Sequence, residues 1–407
     1  MPLVSRLLSR PSAGTEKAQG YPGGRIGAKD PGDTILAYYI GLMSGTSRDG
    51  IDAVLTAIGD GRDARVIAHH HRAYPASLAT DLAAAVEQSE LSAVTAGTLD
   101  ARVGEQFARA ATDLLRLEGL TPDDVRGIGS HGQTLHHAPD AEPAFSWQIG
   151  DPFRIAERTG VDTVAMFRQR DIAAGGEGAP LACGFHAARF AQPGHDRAVV
   201  NIGGISNVTR LPPDGEVSGH DCGPGNTLLD HWVRHHRGCQ YDADGAWARS
   251  GQVHPELLQA LLADPYFQRP PPKSTGPEHF SPAWLAARGG QTLVTAKPAD
   301  VQATLAELTA HAIARELVRP GSAPEDVLIC GGGARNRFLL ERLAAALPQT
   351  RIELTDACGI PAEQVEGAAF AWLAFRTLHH QSGNLPAVTG ARGPRILGCV
   401  IPGGKRA

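Results

Sequence analysis

The chain has 407 residues, 42% apolar and 20% charged, with a formal net charge of -5, the balance of a globular protein rather than a disordered or fibrous one. At ~100–200 residues per domain this length predicts two domains with a cleft between them. The acidic balance gives no nucleic-acid footprint, the six cysteines lack CxxC spacing, and no apolar run nears the ~20 residues that span a bilayer, so neither nucleic acid nor membrane is expected as a partner and the expected compartment is cytoplasmic.

Residues 1–33 are rich in Gly, Pro, Arg and Ser without a sustained period and read as a flexible tail outside the fold. Residues 34–43 predict a first strand, closed by Ser44-Gly45-Thr46-Ser47, and 51–58 a second. A third strand is expected at 65–71, then helices at 77–89 and 91–118, the latter opened by Ser92. A short buried strand at 125–129 follows, and 147–149 with 161–166 are expected to complete the first sheet. From 197 the scheme restarts: 198–202, Gly203-Gly204 and 206–211 repeat strand, glycine turn, strand. A helix at 227–236, the loop through Pro270-Pro271-Pro272, a helix at 300–319, a strand at 327–330 and helices at 336–346 and 363–376 complete the pattern. The expected fold class is α/β, with domains at 34–195 and 196–374 and a C-terminal segment, 375–407, returning toward the first.

Three glycine-rich turns carry the candidate chemistry. The stretch from Gly41 to Asp52 is dense in glycine and small hydroxyl residues, so backbone amides and hydroxyls can converge on an anion, although an ordinary hairpin turn has similar composition. Asn201-Ile202-Gly203-Gly204-Ile205-Ser206-Asn207 has the same character in the second unit, which would set two phosphate loops face to face. Cys330-Gly331-Gly332-Gly333-Ala334-Arg335-Asn336, between strand and helix, permits flat approach of an adenine or ribose, or is a plain connector.

Among acids, Asp171 lies between Arg168 and Arg170 and is a candidate general base or a structural ion pair. Glu307, on an otherwise aliphatic helix, needs a partner, either a sugar or an arginine. Asp221, with Asn226 just before a helix start, suits a phosphate or a metal-bound water. His131, Gln133 and Thr134 sit at a strand end with plausible substrate roles, and the three His-His pairs cannot share a helix face, so metal binding by them is not expected.

These turns resemble the two phosphate loops and the adenosine loop of the actin, sugar-kinase and acetate-kinase ATPase superfamily. Together with Ser130 to Thr134, Gln148-Ile149-Gly150-Asp151, Phe167 to Leu181, Asp221 to Asn226, Lys273-Ser274-Thr275-Gly276 and Asp300 to Thr309, they are similar to the anhydro-N-acetylmuramic acid kinase family. The resemblance implies a two-domain actin-like (ribonuclease H-like) fold with an interdomain active-site cleft, a homodimer, and the use of ATP and Mg2+ on an amino sugar. It implies that Gly45, Thr46, Ser47, Arg48, Asp49, Gly50, Ile51, Asp52, Gly203, Gly204, Asn207, Gly331, Gly332, Gly333 and Asn336 bind ATP. It further implies that His131, Gln133, Thr134, Arg168 and Glu307 meet the sugar, and that Asp171 takes a proton from a water attacking the anomeric carbon while the 6-oxygen attacks the γ-phosphate; the magnesium ligands are left open, with Asp221 a candidate through water. The first strand lacks the carboxylate that many superfamily members place there, and Glu177, Ala182 and Cys183 depart from the Gln, Val and Pro of the family pattern.

Overall fold

The computed structural model describes residues 36–404 apart from 46, 62, 89, 277 and 319–322; the N-terminal tail and Thr46 therefore lie outside the described residues. Two sheets are built on one plan. In the first, β1 (Ala37–Met43), β2 (Gly50–Ile58) and β3 (Ala64–Ala73) form an antiparallel meander. On the other edge of β1, β4 (Val125–Ser130) runs parallel to it.

A two-stranded ribbon of β5 (Gln133–Ala138) and β6 (Phe145–Ile149) leaves the sheet at this point, and β7 (Thr163–Ala165) adds parallel to β4. The second sheet repeats the order with β8 (Arg197–Ile202), β9 (Ile205–Leu211) and β10 (Ser218–Pro224) antiparallel, then β11 (Asp326–Cys330) and β12 (Arg351–Leu354) parallel. Finally β13 (Cys399–Ile401) returns to pair with β7.

The order 3-2-1-4-5 thus occurs twice, and its physical basis is visible in the central strands. β8, Arg-Ala-Val-Val-Asn-Ile, is buried along its whole length because both its faces and both its edges are covered. β3 at the sheet margin alternates between half-buried and exposed, as a strand packed on one face must.

Helix Ala93–Glu118 covers one face of the first sheet; Ser92 caps it by accepting from the Thr95 amide at 3.0 Å. Helix Val365–Leu378 covers the opposite face. It lies so close to β1 and β4 that a methyl group on Gly41 would strike the carbonyl of Gly367, and one on Gly129 the carbonyl of Phe370. One apolar cluster then runs from the first sheet (Tyr39, Val54) through this helix (Phe370, Trp372) to the second sheet (Val199, Ile329).

One expectation needs correction. The segment at 147–149 does not join the first sheet: its alternating exposure, with Phe145 and Trp147 outward, fits a two-stranded ribbon, and β7 occupies the edge of β4 instead. Helix Val365–Leu378 itself packs on β1, β2 and β4 of the first sheet.

Candidate active site

Ser44 ends β1 where the chain must reverse into β2. Its hydroxyl lies 2.7 Å from the Gly50 carbonyl and 2.8 Å from Gln133 Oε1, while Gln133 Nε2 donates to the Gly45 carbonyl at 3.2 Å. Gln133 therefore braces the first turn with both ends of its amide. Thr134 accepts from Gln148 Nε2 at 3.2 Å.

Within the turn, Ser47 donates to Asp49 at 2.7 Å and Arg48 adopts a left-handed backbone with φ 55°. Gly50, Ile51 and Asp52 already belong to β2. The Ile51 side chain is in the core, which leaves only its backbone for a ligand. Asp52 Oδ1 accepts from His69 at 2.8 Å and from His71 at 2.9 Å; burial pushes its carboxyl up, but these hydrogen bonds outweigh burial and hold it below the usual range.

Gly203 and Gly204 form the matching turn between β8 and β9. Their carbonyls accept from the amides of Asn226 and Gly225, both at 2.8 Å, which fastens the turn to the start of helix Thr227–Arg237, the positive end of a helix dipole. Asn201 and Asn207 face each other across the two strands, and the side-chain oxygens of both are buried without a hydrogen-bond partner among the described residues. The third turn is contiguous with the second: Gly331 packs on Asn201 and Gly333 on Ile202, while Gly332 is exposed. Asn336 caps helix Arg337–Ala346 by accepting from the Leu339 amide at 3.0 Å, so its oxygen is engaged and only its amide group is left for a nucleotide.

Asp171 stands in a short helix, Phe167–Ala173, and is fully buried. The expected arginine flank does not hold it. Arg170 points to solvent, and Arg168 makes its hydrogen bonds elsewhere. The Asp171 carboxylate is instead held by neutral donors: Asn384 Nδ2 at 2.8 Å and Thr389 Oγ1 at 2.9 Å on Oδ1, and the Gly178 amide at 2.9 Å on Oδ2. Arg170, next to Asp171 in sequence, cannot share its helix face, and Arg168, three residues back, is engaged by His131 and the Gly178 carbonyl instead.

Arg168 donates to His131 Nε2 at 2.9 Å and to the Gly178 carbonyl at 2.8 Å. Burial lowers its pKa, opposed by the charges of Glu366, Asp221 and Asp171, and among the described residues no ion pair joins it to a carboxylate. His131, pushed down to about 3 by burial and then by Arg168, is a neutral acceptor.

Asp221 comes from the second unit. Its Oδ2 accepts from the Thr275 amide at 3.0 Å, and its carbonyl from Tyr266 at 2.8 Å. Burial raises its carboxyl to about 7, with Glu177 and Glu278 adding to the rise and Arg168 opposing it. Behind it, buried Lys273 meets Glu316 at 2.8 Å, and Glu316 meets His220 at 2.8 Å. This places the Lys273 to Gly276 segment as scaffolding for Asp221.

Glu366, in the first turn of helix Val365–Leu378, is a residue the sequence reading missed. Its carboxyl is raised by burial, lowered by Arg168 and by a hydrogen bond from Asn201, and raised by Asp52. It therefore stands where both glycine turns and Arg168 meet. Glu307, by contrast, pairs with Arg342 and with His311 at 3.1 Å; of its two alternatives the structure provides the arginine partner, and no contact joins it to His131, Gln133, Thr134 or Arg168 among the described residues. Cys183 is buried and accepts from Thr209 at 3.1 Å, its thiol pushed up to about 12 by burial, so the departure at this position is a packed link to β9.

A duplicated α/β sheet plan, two hairpin turns joined to the same interface, and a buried acid held by neutral donors fit the class of two-unit phosphotransferases. The chain belongs to the anhydro-N-acetylmuramic acid kinase family, whose sequence model matches residues 37–403. An anhydro-N-acetylmuramic acid kinase of Xanthomonas campestris pv. campestris (strain 8004) is 51% identical over 376 residues, which is 91% of this chain and 99% of that protein. The enzyme of the same name from Pseudomonas paraeruginosa is 49% identical over 369 residues, 90% of this chain and all of that protein. Among solved structures, the activator of the 2-hydroxyisocaproyl-CoA dehydratase from Clostridium difficile with bound ADPNP aligns over 84% of this chain and 96% of its own, at 14% identity and a TM-score of 0.43.

Proposed function

We propose that the protein opens 1,6-anhydro-N-acetylmuramic acid with water and phosphorylates its 6-oxygen from ATP, giving N-acetylmuramic acid 6-phosphate and ADP in peptidoglycan recycling. The observation that carries the residue assignment is the buried Asp171 carboxylate held by neutral donors, Asn384, Thr389 and the Gly178 amide. Asp171 accepts a proton from the water that attacks the anomeric carbon. As the new C–O bond forms, the bond from that carbon to the 6-oxygen breaks, and the 6-oxygen attacks the γ-phosphorus while the bond to ADP breaks. Oxygen from water thus ends on the anomeric carbon and the phosphoryl group on the old bridge oxygen.

In this reading Arg168 supplies a planar cationic fork to the sugar carboxylate or the phosphates, and His131 orients that fork as a neutral acceptor. Gln133 and Thr134 hold the sugar-side loop. The turns at Gly45–Asp49 and Gly203–Gly204 cradle the phosphates, and Gly331–Gly333 the adenosine.

Magnesium prefers oxygen ligands and usually keeps several waters, needing only one or two carboxylates. The Asp221 carboxylate and the orphaned buried oxygens of Asn201 and Asn207 fit that demand, whereas no group of three or more His, Cys, Asp or Glu is arranged for a metal among the described residues. When bound, the ion would neutralise phosphate charge, held by Asp221 through water. No helix among the described residues is long and apolar enough to cross a membrane, and we place the protein in the cytoplasm as a homodimer.

The test is mass spectrometry of the products formed in water enriched with heavy oxygen, with Asp171→Asn alongside. The expected product carries one heavy oxygen at the anomeric position, and Asp171→Asn lowers kcat ~10²–10⁴-fold, the usual contribution of a general base. A variant within threefold of wild type would remove Asp171 from the role.

A further inference from the structure

We propose that the C-terminal strap running from Asn384 to Arg395 is part of the catalytic apparatus: Asn384 and Thr389 are positioning residues that fix the Asp171 carboxylate and leave Oδ2 as its proton-accepting atom. The inference rests on Asp171 being the base.

The strap reaches the base from 213 residues away in sequence. Asn384 is buried and makes three hydrogen bonds through its amide. Oδ1 accepts from the Arg395 amide at 2.7 Å, and Nδ2 donates to Asp171 Oδ1 at 2.8 Å and, more weakly, to the Gly393 carbonyl at 3.4 Å. The Arg395 contact fixes which end of the amide faces Asp171: the oxygen is taken by a backbone donor, so the NH2 group must point at the carboxylate. Thr389 is buried as well and donates to the same Oδ1 at 2.9 Å.

The strap also grips the loop after the base. The Thr389 carbonyl accepts from the Glu177 amide at 2.8 Å, and the Arg392 amide donates to the Ala174 carbonyl at 2.9 Å. Base and loop are thus fastened to one short segment that contains no charged partner for Asp171.

The two carboxylate oxygens consequently differ. A carboxylate oxygen has two lone-pair sites, and both on Oδ1 are occupied by Asn384 and Thr389. Oδ2 has one donor, the Gly178 amide, and one site left. It faces Gly176, where a methyl group would collide with it. A water proton therefore goes to Oδ2, on the side that packs against Gly176. Neutral donors suit this task better than an arginine would, because an adjacent cation favours the ionised form and weakens the base, whereas side-chain amide and hydroxyl donors fix orientation without adding a full charge.

The experiment compares Thr389→Val, Thr389→Ser, Asn384→Ala and Asp171→Asn by steady-state kinetics with Mg-ATP and the anhydro sugar. Valine keeps the shape of threonine and removes only the hydroxyl. Losing one hydrogen bond to an ionised acceptor is expected to lower kcat about ten- to hundredfold, with both KM values within about twofold of wild type, and Thr389→Ser is expected to restore most of the loss. A general packing defect would not be rescued by serine, which leaves the methyl cavity, and would not spare KM. If Asn384→Ala does not fold, the Val and Ser pair decides alone, with ATP binding measured calorimetrically to certify the fold. An inactive Asp171→Asn beside a Thr389→Val enzyme of wild-type kcat overturns the clamp but leaves the base; an active Asp171→Asn overturns the base and the clamp together.

Discussion

Replacing Asp221 by asparagine should make the protein more stable, and increasingly so as pH rises. The folded-state carboxyl keeps its proton up to about 7, against an ordinary value of 3.8, chiefly because of burial, with Glu177 and Glu278 adding to the rise and Arg168 and the Thr275 amide opposing it. The folded state therefore binds the extra proton between those two values, and stability falls as pH rises through that window. At 1.36 kcal/mol per pH unit, the full window is worth about 4 kcal/mol as a ceiling. Asparagine removes the titration while its side-chain oxygen can still accept from Thr275. Urea midpoints of the two proteins should differ least near pH 4, diverge up to about pH 7 and keep a constant gap above it, with the variant the more stable. Asp230, also raised to about 7 by burial, with Asp49 across the interface contributing, titrates in both proteins and cancels in the comparison. A constant offset from pH 4.5 to 8 would refute the reasoning, since it would mean that Asp221 is ionised throughout. The same buried carboxyl should lose its proton when Mg-ATP binds, so nucleotide is expected to stabilise wild type more at pH 8 than at pH 6, and the asparagine variant equally at both.

Two further outcomes follow from contacts around Asp171 and Arg168. Gly176→Ala places a methyl group against Asp171 Oδ2, so kcat should drop about as far as in Asp171→Asn, ~10²-fold or more, with a thermal midpoint lowered by only a few degrees; near-normal turnover would show that the loop stands off from the base during reaction. Arg168→Lys keeps the charge but cannot span His131 and the Gly178 carbonyl, which lie on different nitrogens of the guanidinium. It should cost about ten- to hundredfold in kcat/KM, one to two charge-assisted hydrogen bonds, read from initial rates with each substrate varied.

The parts of the fold that were legible in the sequence are those where local pattern and tertiary role agree. Ser92 announces its helix because an N-cap works through a hydroxyl three residues from an amide, whatever lies beyond. β8 is a continuous apolar run because it is covered on all sides. β10, Ser-Gly-His-Asp-Cys-Gly-Pro, has no such run: its residues are buried by Phe267, Tyr266 and the Lys273–Glu316 pair, none of them near in sequence. For the same reason Asp171 could be picked out, but its partners could not. An aspartate between two arginines reads as an ion pair, whereas its real donors, Asn384 and Thr389, are brought in by the last turn of the chain. Glu307 was visible as a buried acid in need of a partner, yet nothing local pointed to Arg342, 35 residues on.

Glu366 is the clearest case of chemistry displaced from where a sequence reader looks. The first strand has no carboxylate at Gly41-Leu42-Met43, and the structure supplies a reason at Gly41: the backbone of Gly367 occupies the space any side chain there would need. The helix that excludes a β1 side chain brings its own acid at the adjacent position, hydrogen-bonded by Asn201 and in the field of Arg168 and Asp52. A strand and a helix that pack backbone to backbone can deliver a functional group to the same place from either element. Which element carries it is decided by the packing, because only one of the two can have a side chain at the seam. Gly41 and Glu366 are therefore one solution read from two sides, and the absence of an acid in β1 follows from the closeness of the helix rather than from a missing function.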